Sequence, residues 1–96
     1  WRAAEVKARR TRYEIYWEML TFCRSPKTFT NIVNRCDLNS KIGQEYIGFL
    51  KEKGFLSTIE NEGKSLFVAT ERANDYIAMF TRMYQELFDN SPEFRL

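Results

Sequence analysis

The chain of 96 residues contains no histidine, only two cysteines and two prolines, and four glycines. The missing histidine removes the commonest general base and the commonest zinc ligand. Cys23 and Cys36 form no CxxC pair, so no metal site is expected. Each closes an apolar helical stretch, which points to buried thiols, with a Cys23–Cys36 disulfide as the alternative. No apolar run approaches the roughly 18 residues that cross a bilayer. The opening Trp1-Arg2-Ala3-Ala4-Glu5 lacks the apolar centre of a secretory leader, and the missing initiator Met suggests processing or trimming. There is no Gly-rich phosphate loop, HExxH or GxSxG, and no nucleophile with a base to serve it. Glu60 and Glu62 read as solvated carboxylates. Catalysis is not expected, and no cofactor or small-molecule ligand is implied.

What is present suits one compact domain. Hydrophobic residues make up 44% and charged residues 29%, enough apolar surface for a core and no more charge than a globular chain carries. The charge is unevenly placed. Residues 1–41 hold nine Lys or Arg against four Asp or Glu, whereas residues 42–96 hold six against nine. A basic first half implies a polyanionic partner, the alternative being a chance fluctuation on a solvated surface.

Apolar residues recur every three or four positions at Tyr13, Tyr16, Trp17, Leu20 and Cys23, with Ile15, Met19 and Phe22 between them, predicting a mostly buried helix over 11–23. Pro26 ends it. Thr28 caps a short second helix whose apolar face is Phe29, Ile32, Val33 and Cys36. Asn39 or Ser40 caps a third, running to about Lys53, with Ile42, Tyr46, Phe49 and Leu50 toward the core. Gly54 suits a left-handed stop. The period then becomes strand-like: 55–60 and 64–69 predict a hairpin around Asn61-Glu62-Gly63, with Phe55, Leu66 and Val68 as its contacts to the helices. Thr70 caps a last helix that runs to about Phe88. The predicted fold is mainly α with a small β-hairpin, a winged helix-turn-helix in the order helix-helix-helix-strand-strand-helix.

The run Leu38-Asn39-Ser40-Lys41-Ile42-Gly43-Gln44-Glu45-Tyr46-Ile47-Gly48-Phe49-Leu50-Lys51-Glu52-Lys53-Gly54-Phe55-Leu56 resembles the third helix and wing entry of small archaeal winged-helix DNA-binding proteins. Thr70-Glu71-Arg72-Ala73 resembles their Thr-Glu-Lys-Gly entry into the last helix, and Tyr13-Glu14-Ile15 their first helix. The resemblance spans about residues 10–88. It implies a winged helix followed by a C-terminal helix that pairs with its mate in a dimer, in proteins of chromatin or of transcription regulation. Ala73 stands where the family has Gly, and the last helix is shorter than in chromatin-type members, which disfavours a long coiled coil. MarR-like and PadR-like regulators share the architecture. On this reading residues 1–70 are a DNA-binding winged helix with a basic N-terminal extension. Residues 71–96 are a dimerisation helix and tail of the same compact unit, in a cytoplasmic, nucleoid-associated protein.

The expected partners are double-stranded DNA and a second copy of the chain. Ser40, Lys41, Gln44 and Glu45 fall on the open side of the third helix. Gln44 is the preferred base reader because an amide pairs bidentately with adenine. Lys41 suits phosphate or guanine, Ser40 suits phosphate, and Glu45 either accepts from cytosine or repels phosphate. Arg9, Arg10 and Arg12, with Lys27 and Thr28 at the second helix and Lys64 on the wing, are expected at backbone phosphates. The wing tip, set between Glu60 and Glu62, is expected to contribute weakly. On the last helix Ala73, Tyr76, Ile77, Phe80, Met83, Tyr84 and Leu87 form a stripe wider than one terminal helix needs, which predicts a dimer seam. The alternative is that this stripe packs only on the first helix. A low-specificity architectural protein and a protein-interaction module without a DNA role are the other readings of the whole chain.

Overall fold

A computed structural model describes residues 11–88. Within them lie α1 (Arg12–Phe22), α2 (Phe29–Arg35), α3 (Ser40–Glu52), β1 (Leu56–Asn61), β2 (Lys64–Ala69) and α4 (Glu71–Phe88). This is the expected order.

Each helix start has a local chemical cause. Thr11 and Glu14 form a reciprocal capping box, the Glu14 amide donating to the Thr11 hydroxyl (3.1 Å) and the Thr11 amide to the Glu14 carboxylate (3.4 Å). Thr28 caps α2 by accepting from the Asn31 amide (3.2 Å). Asn39, rather than Ser40, caps α3, accepting from the Ile42 amide (2.8 Å). Thr70, expected as the cap of α4, uses its hydroxyl to donate to the Gly54 carbonyl (2.5 Å), tying the end of α3 to the start of α4. Asp37 (φ 59) makes the turn between α2 and α3, a left-handed conformation that Asp tolerates.

The hairpin is tighter than expected. Asn61 pairs with Lys64, so the tip is the two residues Glu62 and Gly63, both at positive φ (53 and 79), as a type I′ turn requires. The opposite face of β2 meets the helices. Phe67 and Ala69, not Leu66 and Val68, pack on the core, because the register sets Leu56 against Ala69 and Thr58 against Phe67 on one side. Phe55, as expected, does pack there. Lys27 lies along the free edge of β2, its amide and carbonyl both bonded to Phe67 (2.9 and 2.8 Å). That bridge, and the Ala69 amide bonded to the Cys23 carbonyl (2.8 Å), hold the wing to the end of α1.

The core gathers Tyr16, Met19 and Leu20 of α1 with Cys23 at its C-terminal cap, Ile32 of α2 with Cys36 at its cap, Ile47 and Leu50 of α3, Leu56 of β1, and Ala73 and Ile77 of α4. The first helix buries Tyr16, Met19 and Leu20 and half-buries Ile15, Trp17 and Phe22, while Arg12, Tyr13 and Thr21 stay exposed. Tyr16 stacks on Phe49 (5.2 Å between centroids), and Trp17 stacks on Phe80 (5.4 Å) and Tyr84 (5.9 Å) while donating its indole N–H to the Thr81 hydroxyl (2.9 Å). Helix α3 meets α2 at Gly43, where an added Cβ would lie 2.4 Å from a Val33 methyl.

Cys23 and Cys36 are buried thiols that are not joined in a disulfide. Burial first, and Cys36 second, push the Cys23 thiol from the ordinary 9.0 to about 12. Burial likewise pushes Tyr76 from 10.0 to about 12. The folded protein therefore keeps protons that the unfolded chain releases, so this contribution to stability is intact below pH 9 and drains away toward about pH 12. Thermal melts followed by circular dichroism are expected to show a Tm falling with pH across that window. Cys23→Ala should flatten the part between pH 9 and 10. An unchanged slope in the variant would contradict the assignment.

Candidate nucleic-acid interface

The third helix buries Gly43, Ile47 and Leu50. Its inward side is thus rotated from the expected one: Ile42 and Tyr46 are half-buried and Phe49 is 39% exposed, at the margin of the helix rather than beneath it. The reason is steric. Gly43 lets the α3 backbone itself meet Val33 and Phe29, and the helix turns that side inward.

The opposite side is open. Ser40, Lys41, Gln44 and Glu45 are all exposed, as are Gly48, Lys51 and Glu52, so the exposed strip runs the length of the helix. Cations stand at both of its margins. On one side the Arg12 guanidinium lies over the Tyr46 ring (5.6 Å) and Lys53 over Phe49 (5.6 Å). Hydrogen bonding to Tyr46, then the proximity of Tyr16, raises the Arg12 pKa, so the group is a permanent cation fastened to the helix margin. On the other side Lys51 lies over Phe67 of the wing (5.9 Å). Sequence reading missed Lys51 and Lys53. Lys51 follows Gln44 by two helical turns, a signal that was available; Lys53 needed the exposed face of Phe49, which only packing creates.

The remaining expected phosphate contacts are dispersed. Lys27 is half-buried; its ammonium donates to the Ser25 carbonyl (3.3 Å) and hydroxyl and lies over the Phe22 ring (4.7 Å). The Thr28 hydroxyl serves as the α2 cap. Lys64 is exposed beside the wing tip, where Ser65 donates to the Glu60 carboxylate (2.8 Å). Arg9 and Arg10 lie outside the described residues.

The expected dimer stripe divides in two. Ala73 and Ile77 are buried in the chain's own core, and Phe80 and Tyr84 are stacked on Trp17. Tyr76 stacks on Phe55 (5.9 Å) and donates to the Tyr13 carbonyl (2.5 Å). Both the seam and the packing on α1 therefore have residues to draw on. Met83 (50%) and Leu87 (64%) are exposed, and they are joined by Met79 (67%), which sequence reading left unassigned, and by Tyr13 (64%), expected on the buried side of the first helix but turned outward. Beside them lies an apolar hollow of about 500 Å³ lined by Tyr13, Tyr76, Phe80, Met83 and Leu87, among others.

The profile of the winged helix-turn-helix family matches residues 9–88. The chain belongs to that family. It is a non-enzymatic one, so the absence of catalysis rests on membership. The winged helix-turn-helix chain is similar in structure to Sso10a-2, a DNA-binding protein from Sulfolobus solfataricus, with 20% identity, a TM-score of 0.70, and coverage of 88% of this chain and 92% of that one. It is also similar to MepR, a transcription regulator of the Staphylococcus aureus multidrug efflux pump MepA (11% identity, TM-score 0.72, 91% of this chain, 67% of that one). A third is Sco5413, a MarR family transcriptional regulator from Streptomyces coelicolor (17%, 0.64, 74% and 54%). The winged helix-turn-helix chain thus spans nearly all of the Sulfolobus protein and between half and two thirds of these two regulators. At these identities the likeness is one of fold. No curated protein sequence matches it. Among the described residues no helix is long and apolar enough to cross a membrane, and no three His, Cys, Asp or Glu side chains gather as for a metal.

Proposed function

We propose that the protein binds double-stranded DNA as a homodimer and regulates transcription, with α3 in the major groove. The observation that carries this reading is the exposed polar strip of α3 with cations along both margins. A major groove is about 12 Å wide and takes one helix between two phosphate ridges. Arg12 and Lys53 then face one ridge and Lys51 the other, while Lys41, Gln44 and Glu45 face base edges. Ser40 contacts phosphate near the helix start. Arg9, Arg10 and Lys64 add phosphate contacts, and Lys27 and Thr28 a weaker one, since their polar atoms already serve the fold. In this arrangement residues 1–70 carry the DNA and residues 71–96 the dimer contact, with Tyr13 of α1 added to it. Met79, Met83 and Leu87 with Tyr13 form the seam, and Tyr76, Phe80 and Tyr84 support it from behind. The protein then acts in the cytoplasm, at the nucleoid.

The descriptions of Sso10a-2 as DNA-binding and of MepR and Sco5413 as transcription regulators support the reading. Fluorescence anisotropy on a duplex selected from a random library, against a random duplex of equal length, is the test. Gln44→Ala is expected to cost about 1–3 kcal/mol on the selected duplex and little on the random one. Arg12→Ala should weaken both alike and reduce the salt slope by about 1. Equal wild-type affinity for both duplexes would replace the regulator by an architectural protein. No salt-dependent affinity for either would remove DNA altogether.

A further inference from the structure

Three of the four glycines have a reason inside the chain. Gly43 meets Val33, and Gly54 and Gly63 stand at φ +82 and +79. Among the described residues Gly48 has none. It lies within α3 with helical φ, and a Cβ built on it meets none of the described residues within 4 Å. Glycine in an exposed helix interior is less favourable than alanine, because it adds backbone entropy to the unfolded chain and no contact to the folded one. Folding alone therefore disfavours the residue found there. Its place is the middle of the exposed strip, with Gln44 and Glu45 one turn before it and Lys51 and Glu52 one turn after. The tall side chains on either side leave a notch at the height of the helix backbone.

We propose that Gly48 is where the α3 backbone rests on the floor of the major groove, so that the notch sets how deeply the helix seats. Any side chain there props the helix away from the base edges by its own length, and the short reach of Gln44 no longer spans the gap. The longer Arg12, Lys51 and Lys53 still follow the phosphates. Gly48 is thus a positioning residue for sequence readout, and this rests on the placement of α3 proposed above.

The test compares Gly48→Ala and Gly48→Leu with the wild type, in thermal melts and in anisotropy on the selected and random duplexes. Both variants should fold, with Tm raised by roughly 2–6 °C for alanine. Alanine should weaken binding to the selected duplex by about tenfold, the penalty of one forced methyl at a packed contact, and leucine by more. Affinity for the random duplex should change little, so the ratio between the two falls. A Gly48→Leu protein that keeps wild-type affinity and ratio overturns the inference while leaving DNA binding intact. A wild type without salt-dependent duplex affinity overturns both.

Discussion

Gly43→Ala is expected to destabilise the protein by about 1–2 kcal/mol, the overpacking cost less the gain in helix propensity. The opposite sign is expected for the same change five residues later, at Gly48. The new methyl at 43 lands 2.4 Å from Val33 Cγ1 and 3.4 Å from the Phe29 ring. Val33 is β-branched and largely confined to one rotamer in a helix, so it yields only by moving α2 away from α3. At about 4–8 °C of Tm per kcal/mol for a domain of this size, the two variants should melt on opposite sides of the wild type. Val33→Ala in the Gly43→Ala background should restore part of the loss, and the double-mutant cycle gives the coupling directly. Strictly additive effects would show that the contact is not the cause. Because α2 and the capping turn at Asn39 orient α3, Gly43→Ala should also weaken DNA binding, unlike a surface change of equal stability cost.

The second large effect is on assembly. The double variant Met83→Glu, Leu87→Glu should be a monomer in light scattering at concentrations where the wild type is a dimer. Burying two carboxylates against an apolar mate costs several kcal/mol. The monomer should keep its helical content, since both side chains are at least half exposed within one chain. Its affinity for a two-fold symmetric site should fall about a hundredfold or more, because the second half-site is no longer held at high effective concentration. Phe80→Glu is a poor probe of the same seam, because Phe80 stacks on Trp17 and its loss damages the fold itself. A wild type that is monomeric at high micromolar concentration, or a double variant that still assembles, would reject the seam.

Much of this molecule is legible in the order of its residues. Caps at Thr28 and Asn39, the proline after α1, Gly54 after α3 and the switch from a period near 3.6 to one of two mark the elements, because each acts within a few residues of itself. The open side of α3 was legible too, since a helix with one apolar side must have another that faces out. Three things were not. The face of β2 turned inward depends on register, which Lys27 at its far edge helps to set. The division of α4 depends on Trp17, 64 residues away from Thr81, taking Phe80 and Tyr84 for the core and leaving Met83 and Leu87 outside. The cationic margins of α3 depend on which aromatic rings keep an exposed face once the core has closed.

The amino-acid order alone thus determined a winged helix-turn-helix, its boundaries to within a residue or two, and a polar outer side for its third helix. These are set by hydrogen bonds and periodicities that close over short stretches of chain. Which apolar side chains the core consumes, how α3 is rotated on Gly43, and where Arg12, Lys51 and Lys53 come to rest were decided only in three dimensions. Each is a contest among distant groups for the same space, and packing settles it.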